Sequence, residues 1–349
     1  MRHCVNRRAF LKTSIIAGTA VALAPASLVR AFRGAPAAKR KHTTVVRAKV
    51  ARLSGTYALE HIRRMRGGSQ SHLMRCSDGH YYVVKFQNNP QHRRVLVNEM
   101  LATRLAAVLG LPTAPMFPIY VSERLIELTP DLTIEMRRSR IPCEPGMQFG
   151  SRYLGEPHRP SVRPFSPRGE WDLVENRADF AGMLVFDKWT CNTDWRQVLF
   201  QRCKSDSPLK AGRLRAVMID QGFCFNCGEW NFPDSPVRSF YHDRDVYEGI
   251  RGLDSFEPWL GRLESEINLD ALVEATQGIP AEWYDFDAIA LQALLERLDR
   301  RRNAVRQMLR EACQRSRLVS PNWRNNRGIA VSVLGAFVST KTHGIFRLT

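Results

Sequence analysis

The sequence predicts an α+β fold with a strand-rich first part and a mainly helical second part. From residue 43 to residue 122, short segments alternate apolar and polar residues as strands do, with Gly-rich or Asp-Gly turns between them. From residue 175 onwards, apolar residues recur mostly at the spacing of helices that bury one face. The length of 349 residues allows two ordinary domains or one large bilobal domain.

The predicted elements of the first part are short and have clear turn signals between them. They are strands at 43–50, 57–62, 72–75 and 81–86, a helix at 95–109, a strand at 117–122, an irregular segment at 123–145 and a strand and turn at 148–155.

The second part opens with a Pro- and Arg-rich surface loop at 156–170. An aromatic and acid-rich segment at 223–260 separates its two short strands from its last helices. The remaining predicted elements are a helix at 175–186, strands at 198–200 and 215–219, and helices at 269–274, 286–298 and 304–312.

The chain is strongly basic, with a formal net charge of +18 and a pI near 10.1. Such a balance by itself favours a nucleic-acid partner. However, 43 of the 52 basic residues are arginines, and these are scattered and not interleaved with aromatic residues. We therefore predict a solvated basic surface and no nucleic-acid partner. A nucleic-acid-binding protein remains an alternative that rests on net charge alone.

The eight cysteines lack the repeated spacing of a disulfide framework. Cys224 and Cys227 form a lone CxxC pair, and the sequence has no second pair or HxxxH motif to complete a zinc site. We therefore expect small buried thiols and no disulfides.

Residues 1–31 resemble a twin-arginine export signal. Arg7 and Arg8 precede an apolar run from Ile15 to Val29, and either Ala24-Pro25-Ala26 or Val29-Arg30-Ala31 would serve as the cleavage site. The run is too short and too interrupted to predict an integral membrane span. A wrongly chosen start codon is the alternative, because residues 32–42 are basic and resemble a linker.

A Gly-rich turn and a strand lysine are the candidate binding residues of the first part. Adjacent Gly67 and Gly68, with serines beside them, would let backbone N–H groups approach phosphate oxygens, although a plain hairpin turn is the alternative. Lys85 is a lone lysine in an apolar strand of a chain with nine lysines. A buried ammonium needs an anionic partner, and Glu99 on the following helix is placed to supply one.

Acidic residues stand at the ends of predicted elements between Phe180 and Gly222. Asp187 and Asp194 lie in or near a polar turn after an apolar helical run, and Asp220 ends a buried strand. Carboxylates in such places suit Mg²⁺, which is usually held by one or two carboxylates together with substrate phosphates. Each aspartate taken alone would be read as a turn cap or a solvated side chain, but the set predicts a metal–phosphate site.

The order of these parts resembles the protein-kinase-like fold, with a Gly-rich turn, a strand lysine, a helix glutamate, a loop aspartate and a strand that ends in Asp-x-Gly. More narrowly, GGSQSHLMR, YYVVKF, NEMLATRLAAVLGLP, FGSRYLG and IDQG are similar to the HipA-like kinases of bacteria. The resemblance covers about residues 45–315. It implies a bilobal fold, with a β-rich N-lobe and hinge at 43–155 and a mainly helical C-lobe at 156–315. Residues 316–349 form a basic, Asn-rich tail, for which a docking strand and a disordered end are the two alternatives.

The resemblance implies a kinase that binds ATP and Mg²⁺ and phosphorylates a serine or threonine of an unidentified protein. Asp194 would orient or deprotonate the acceptor hydroxyl, and Asp220 would hold Mg²⁺. Lys85, supported by Glu99, would contact the nucleotide phosphates. The remaining nucleotide contacts would come from Gly67, Gly68, Ser69, Gln70 and Ser71 in the turn and from backbone groups of Ser151, Arg152 and Tyr153 in the hinge.

One metal ligand departs from the kinase pattern. Kinases place an asparagine five residues after the loop aspartate, and this chain has Leu199. Gln197 or Asn192 would then serve as the oxygen ligand. The alternative function is a pseudokinase, which binds nucleotide or acts as a scaffold without turnover. ATP chemistry favours the cytoplasm as the compartment, with export by the twin-arginine pathway as the alternative.

Overall fold

Five strands of the first part form a closed barrel, in the order β1-β2-β3-β7-β4. The structure, a computed structural model, describes residues 55–157, 162–163, 169–203 and 212–315. The strands are β1 Thr56–Arg64, β2 His72–Cys76, β3 Tyr81–Lys85, β4 Met116–Val121, β5 Thr133–Glu135, β6 Arg140–Pro142, β7 Gly146–Arg152, β8 Val162–Arg163, β9 Gln197–Arg202 and β10 Leu214–Ile219.

Barrel closure depends on one parallel pairing. The other neighbours in the barrel are antiparallel, whereas β1 meets β4 in parallel through Thr56–Ile119 and Tyr57–Tyr120. The seam between β4 and β7 also requires a glycine, because a Cβ on Gly150 would lie 2.3 Å from Ile119 Cγ1. The sequence predicted these strands but not their closure into a barrel.

The barrel encloses its own small hydrophobic cluster. Alternate residues of β3 contribute to it, since Tyr82 and Val84 point into the cluster and are almost fully buried. The cluster also takes in Leu132 and Ile134, which lie outside the barrel strands. Burial of these apolar side chains is what attaches the segment after β4 to the barrel.

That segment, residues 123–145, was predicted to be irregular, and this prediction is wrong. It contains a short helix, α2 Glu123–Glu127, and the antiparallel hairpin of β5 and β6. Ser122 caps α2 by accepting a hydrogen bond from the backbone of Leu125 at 3.2 Å. Elements of three to five residues are too short to show a period, so tertiary burial decided their structure.

Helices dominate the described chain after β10. The predicted helices at 269–274, 286–298 and 304–312 are present with small shifts of their ends, whereas the helix at 257–266 was missed. Pro258 lies in the first turn of that helix, where its missing N–H group costs no hydrogen bond. The helices are α1 Val95–Val108, α2 as above, α3 Asp179–Trp189, α4 Glu257–Glu266, α5 Leu269–Glu274, α6 Ala288–Arg302 and α7 Val305–Arg315.

A second, larger hydrophobic cluster joins α1, α3 and the helices that follow β10. On α3 the predicted apolar residues Phe180, Met183, Leu184 and Phe186 are all buried in it. Phe149 of the barrel strand β7 belongs to the same cluster, so α1 packs against both the barrel and the helical part. This contact brings Lys85 and Asp220 within reach of each other.

No disulfide joins the cysteines of the described ranges. Within those ranges, none of the helices combines the length and the apolar character needed to cross a bilayer. The predicted leader at 1–31, linker at 32–42, strand at 43–50 and tail at 316–349 lie outside the described residues. The division into lobes at residue 155 stays a prediction.

Candidate functional site

A cavity of about 420 Å³ lies between the barrel and the β9–β10 pair. Twelve of the fourteen residues predicted for the site line it, and Gln70 and Asn192 do not. The twelve are Gly67, Gly68, Ser69, Ser71, Lys85, Glu99, Ser151, Arg152, Tyr153, Asp194, Gln197 and Asp220.

Lys85 is the centre of the charged network in this cavity. It ends β3, and its Nζ forms an ion pair with Glu99 of α1 and a second one, at 2.7 Å, with Oδ1 of Asp220. Lys85 and Glu99 are buried, whereas the side chain of Asp220 is 30% exposed. The anionic partner that the sequence predicted for the lysine is therefore in place.

Burial and pairing compete in setting the pKa of each group. Burial alone would lower the pKa of Lys85, but the charges of Asp220 and Glu99 outweigh it and raise the pKa above its usual value. Burial raises the pKa of Glu99 despite the opposing charge of Lys85. Burial would also raise the pKa of Asp220, but Lys85 holds it below its usual value. Lys85 is thus a stable cation and Asp220 an ionised carboxylate.

Asp220 and Gly222 follow β10 in a tight Asp-x-Gly turn. Asp220 has a φ of 57°, in the left-handed region that side chains other than glycine seldom adopt. The backbone N–H of Gln221 donates to Glu99 Oε2 at 3.0 Å. A Cβ on Gly222 would lie 2.7 Å from Val95 Cγ1, so glycine is needed where this turn approaches α1.

Gln197 lies beside Asp220 because the first residue of β9 pairs with the last residue of β10. Its Nε2 donates to Asp220 Oδ2 at 3.0 Å. Leu199 also lines the cavity, two residues further along the same strand. The alternation of β9 therefore places both Gln197 and Leu199 on its cavity-facing side.

Asn192 lies behind the cavity instead of lining it. It is 1% exposed, and its amide donates to Asp187 Oδ1 at 3.0 Å. Its Oδ1 accepts from the backbone N–H of Asp194 at 3.1 Å. The structure therefore places Asn192 as a support for the loop that carries Asp194.

A buried ion pair between Asp187 and Arg196 fixes the same loop. The guanidinium binds both carboxylate oxygens of Asp187, with Nε 2.8 Å from Oδ2. It also donates to Ile219 O at 3.1 Å and to Gln221 Oε1 at 2.8 Å. Arg196 thereby ties the Asp194 loop to the end of β10. No signal in the sequence marks this pair, because Asp187 lies in α3 and Arg196 follows nine positions later, beyond the end of that helix.

The Gly-rich turn closes with hydrogen bonds from Met65 N to Ser71 O at 2.8 Å and from Gln70 N to Gly67 O at 3.2 Å. The Gln70 side chain points away from the cavity and pairs with the backbone of Glu135. Its Nε2 donates to Glu135 O at 2.9 Å, and its Oε1 accepts from Glu135 N at 2.7 Å. The turn is thus attached to β5, in the segment that was predicted to be irregular.

The predicted hinge strand is β7, and part of its backbone is already engaged. The N–H groups of Arg152 and Tyr153 donate to Pro115 O and Tyr81 O, each at 2.7 Å. Adenine binding at this edge therefore cannot use those two donors. Apolar side chains of Val83, Phe149 and Leu154 line the neighbouring cavity wall.

Sequence reasoning missed several cavity residues. Arg63 of β1 and Arg66, just before the turn, line the cavity, and Gln91 approaches Gly68 from the segment before α1. Two arginines next to a Gly-Gly pair were a usable signal for phosphate, but the chain's many arginines concealed it. Gln91 could be found only in three dimensions, because it reaches the turn from another segment.

The barrel, the Lys85–Glu99 pair and the Asp-x-Gly carboxylate together define a protein of the kinase-like class. Residues 59–226 match the family model of the HipA-like kinases. This match confirms the resemblance to that family inferred from the sequence.

Solved kinase structures resemble the chain at low identity. A proinflammatory kinase from Helicobacter pylori, CtkA, has 14% identity and a TM-score of 0.46, over 74% of this chain and 97% of that one. The Golgi casein kinase has 14% identity and a TM-score of 0.43, over 77% of each chain. The same kinase with Mn/ADP bound gives 14% and 0.40, over 78% of this chain and 77% of that one. No curated protein matches the sequence.

Proposed function

We propose that this protein is a kinase that binds ATP and Mg²⁺ and transfers the γ-phosphoryl group to a serine or threonine hydroxyl of a protein. The observation that carries the proposal is the position of Lys85. Its ammonium bonds to both Glu99 and Asp220 inside a cavity bordered by a Gly-rich turn. We further propose that residues 43–155 and 156–315 act as the two lobes of a bilobal kinase.

The residues present suit a magnesium ion. The lowered pKa of Asp220 keeps its carboxylate ionised, and its side chain is 30% exposed to the cavity. No cluster of three or more metal-binding side chains occurs in the described ranges, which suits Mg²⁺, since it retains waters and phosphate oxygens as ligands. Asp220 would hold the ion with Gln197 beside it, whereas Asn192 is bound to Asp187. Bound Mg²⁺ would neutralise charge on the β- and γ-phosphates.

The chain's own groups would position the reactants. Lys85 stays protonated because two carboxylates flank it, so it can donate to phosphate oxygens throughout the reaction. The backbone N–H groups of Gly67 and Gly68 would approach the phosphates without a side chain in the way. Asp194, on the loop held by Asn192, would accept a hydrogen bond from the acceptor hydroxyl. Adenine would lie against the apolar wall near Tyr153.

A pseudokinase is the second candidate, and Leu199 is the observation that favours it. An apolar side chain lines the cavity where kinases have an amide ligand for a second metal. The Gln197 amide, its nearest substitute, already donates to Asp220. Such a site would bind nucleotide with one metal and have little or no turnover.

ATP titration calorimetry with and without Mg²⁺, followed by a transfer assay, separates these candidates. Wild type should bind ATP more tightly with Mg²⁺, and Lys85→Met should lose this binding. Asp220→Asn should remove the gain from Mg²⁺ together with autophosphorylation, and Asp194→Asn should reduce only transfer. Binding without transfer to itself or to lysate proteins would favour the pseudokinase. Absence of ATP binding to wild type would refute the kinase and the nucleotide-binding pseudokinase, and would leave only a scaffolding role.

We propose the cytoplasm as the compartment, because the reaction needs ATP. Cell fractionation of the full-length chain and of an Arg7→Lys, Arg8→Lys variant tests this. A shorter product beyond the inner membrane, lost in the variant, would instead support twin-arginine export.

A further inference from the structure

Asn98 lies directly before Glu99 on α1 and is fully buried. Its side chain reaches the segment that follows Asp220, at the part of α1 that holds the Lys85 pair. One amide group there serves three backbone carbonyls. The Nδ2 atom lies within hydrogen-bond distance of Gly222 O at 2.9 Å, Cys224 O at 3.0 Å and Cys227 O at 2.6 Å, and because it carries two hydrogens, one of them is shared between two carbonyls.

The orientation of the Asn98 amide is fixed by Trp230. Its indole Nε1 lies 2.8 Å from Asn98 Oδ1. An indole N–H can only donate, so the oxygen must face the indole and the nitrogen must face the carbonyls. Both the oxygen and the nitrogen of this amide are therefore hydrogen-bonded to the segment between residues 222 and 230.

The backbone of this segment has an unusual conformation. Phe225, Asn226 and Cys227 are three consecutive residues with φ values of 59°, 62° and 58°. Side chains other than glycine seldom adopt this left-handed region, and such backbone persists where surrounding contacts determine it. The carbonyls that converge on Asn98 come from this stretch and from the residues just before it, so the amide stabilises the turn that creates them.

Adjacent residues of α1 thus hold the chain on both sides of Gly222. Glu99 accepts from the N–H of Gln221 at 3.0 Å, and Asn98 binds the carbonyl of Gly222. One turn earlier, the guanidinium of Arg94 lies 4.4 Å from the centre of the Trp230 ring. These contacts make the position of the Asp220 backbone depend on the position of α1.

We propose that Asn98 is a positioning residue for the metal site. It fixes the chain after Asp220 to α1, so that the Asp220 carboxylate and the Lys85–Glu99 pair keep one relative geometry. The residue does not line the cavity, and it acts through the backbone that carries Asp220. The inference rests on the proposed function in one respect, namely that Mg²⁺ and nucleotide bind together at Asp220.

The test compares the full-length wild type with Asn98→Leu and Asn176→Leu. Leucine has as many side-chain heavy atoms as asparagine and the same branch at Cγ, but makes no hydrogen bonds. Asn176 is a matched control, because its amide binds Asp179 Oδ2 at 2.8 Å and Ala216 O at 2.9 Å, and its oxygen accepts from Ala216 N at 2.8 Å. Asn176 holds the middle of β10 and not the segment after Asp220.

Two measurements are made on each protein. Hydrogen exchange of amides 221–230 should become about tenfold faster or more in Asn98→Leu and stay unchanged in Asn176→Leu, because local contacts set local opening. The second measurement is the ADP dissociation constant in EDTA divided by the constant in Mg²⁺, which gives the gain in affinity from the metal. This ratio should fall about tenfold in Asn98→Leu, as it does when other residues that hold metal ligands in place are replaced. The constant in EDTA should change little, and Asn176→Leu should keep the wild-type ratio.

Unchanged exchange in residues 221–230, or an unchanged Mg²⁺ ratio in Asn98→Leu, would overturn the inference. An equal fall of the ratio in Asn176→Leu would overturn it too, since general destabilisation would then explain the effect. If Asn98→Leu does not fold, Trp230→Phe takes its place, because it removes the bond that orients the Asn98 amide. Wild-type exchange of amides 221–230 and a wild-type Mg²⁺ ratio in Trp230→Phe would then overturn the inference. A wild type that binds no ADP would refute the proposed function, which is a different outcome from binding with intact coupling.

Discussion

Replacing Lys85 with methionine would leave two carboxylates without their cation. Methionine keeps the apolar stem of the side chain, so the packing of β3 changes little. Glu99 remains buried, with a side chain that is 4% exposed. Asp220 is 30% exposed, and water can solvate it in place of the ammonium.

The magnitude follows from the burial of Glu99. Removing one partner of a buried ion pair destabilises a protein by about 3–5 kcal/mol at neutral pH, because an uncompensated charge remains. Glu99 can relieve part of this by taking up a proton. Its pKa is already raised by burial with Lys85 present, and loss of the ammonium would raise it further.

The pH dependence follows from the sign of that shift. A carboxyl group whose pKa is raised on folding binds more protons in the folded state, so the free energy of unfolding falls as pH rises. The loss in Lys85→Met should therefore be small near pH 5. It should grow with pH, by up to about 1.4 kcal/mol per pH unit, between the pKa of Glu99 in wild type and its higher pKa in the variant.

Urea unfolding in EDTA from pH 5 to pH 7, followed by tryptophan fluorescence, measures this loss. Lys188→Met is the matched control, because Lys188 is as buried as Lys85, but its Nζ donates to the backbone carbonyls of Ser235, Pro236 and Arg238. Burial lowers the pKa of Lys188 to about 8, so its contribution is constant below that pH. A pH-independent loss in Lys85→Met, parallel to that of Lys188→Met, would refute the reasoning about Glu99.

Three further predictions concern the turn, the glycine and the missing ligand. Gln70→Ala removes both hydrogen bonds to Glu135 and so loosens only the Gly-rich turn. In steady-state assays it should raise KM for ATP severalfold and leave kcat nearly unchanged, and an unchanged KM would contradict this. Gly222→Ala should lower the free energy of unfolding by about 1–3 kcal/mol in urea titrations, because the added Cβ would clash with Val95. An unchanged free energy would contradict this and show that α1 can shift to make room. Leu199→Asn should raise autophosphorylation in a radiolabel assay if a second metal ligand limits the rate, and no gain would favour the pseudokinase.

Local pattern determined the main elements and the charged centre of the site. Lys85 was recognisable because an ammonium in an apolar strand must find an anion, and Glu99 followed because it lies on the next helix. Asp220 was recognisable because a buried strand ends at an Asp-x-Gly turn. Each of these signals lies within one predicted element or within two consecutive ones.

The tertiary structure decided which of these residues meet and what supports them. Lys85 and Asp220 are 135 positions apart, and no periodicity links them. Long-range contacts also produce the closure of the barrel and the bonds between Gln70 and the β5–β6 hairpin. The same is true of the bonds between Asn98 and the backbone carbonyls after Asp220. Asn192 is the clearest example. The sequence predicted it as a metal ligand, whereas in the structure its amide donates to Asp187. A polar residue's partner depends on what the folded chain brings beside it, and sequence spacing alone does not specify that neighbour.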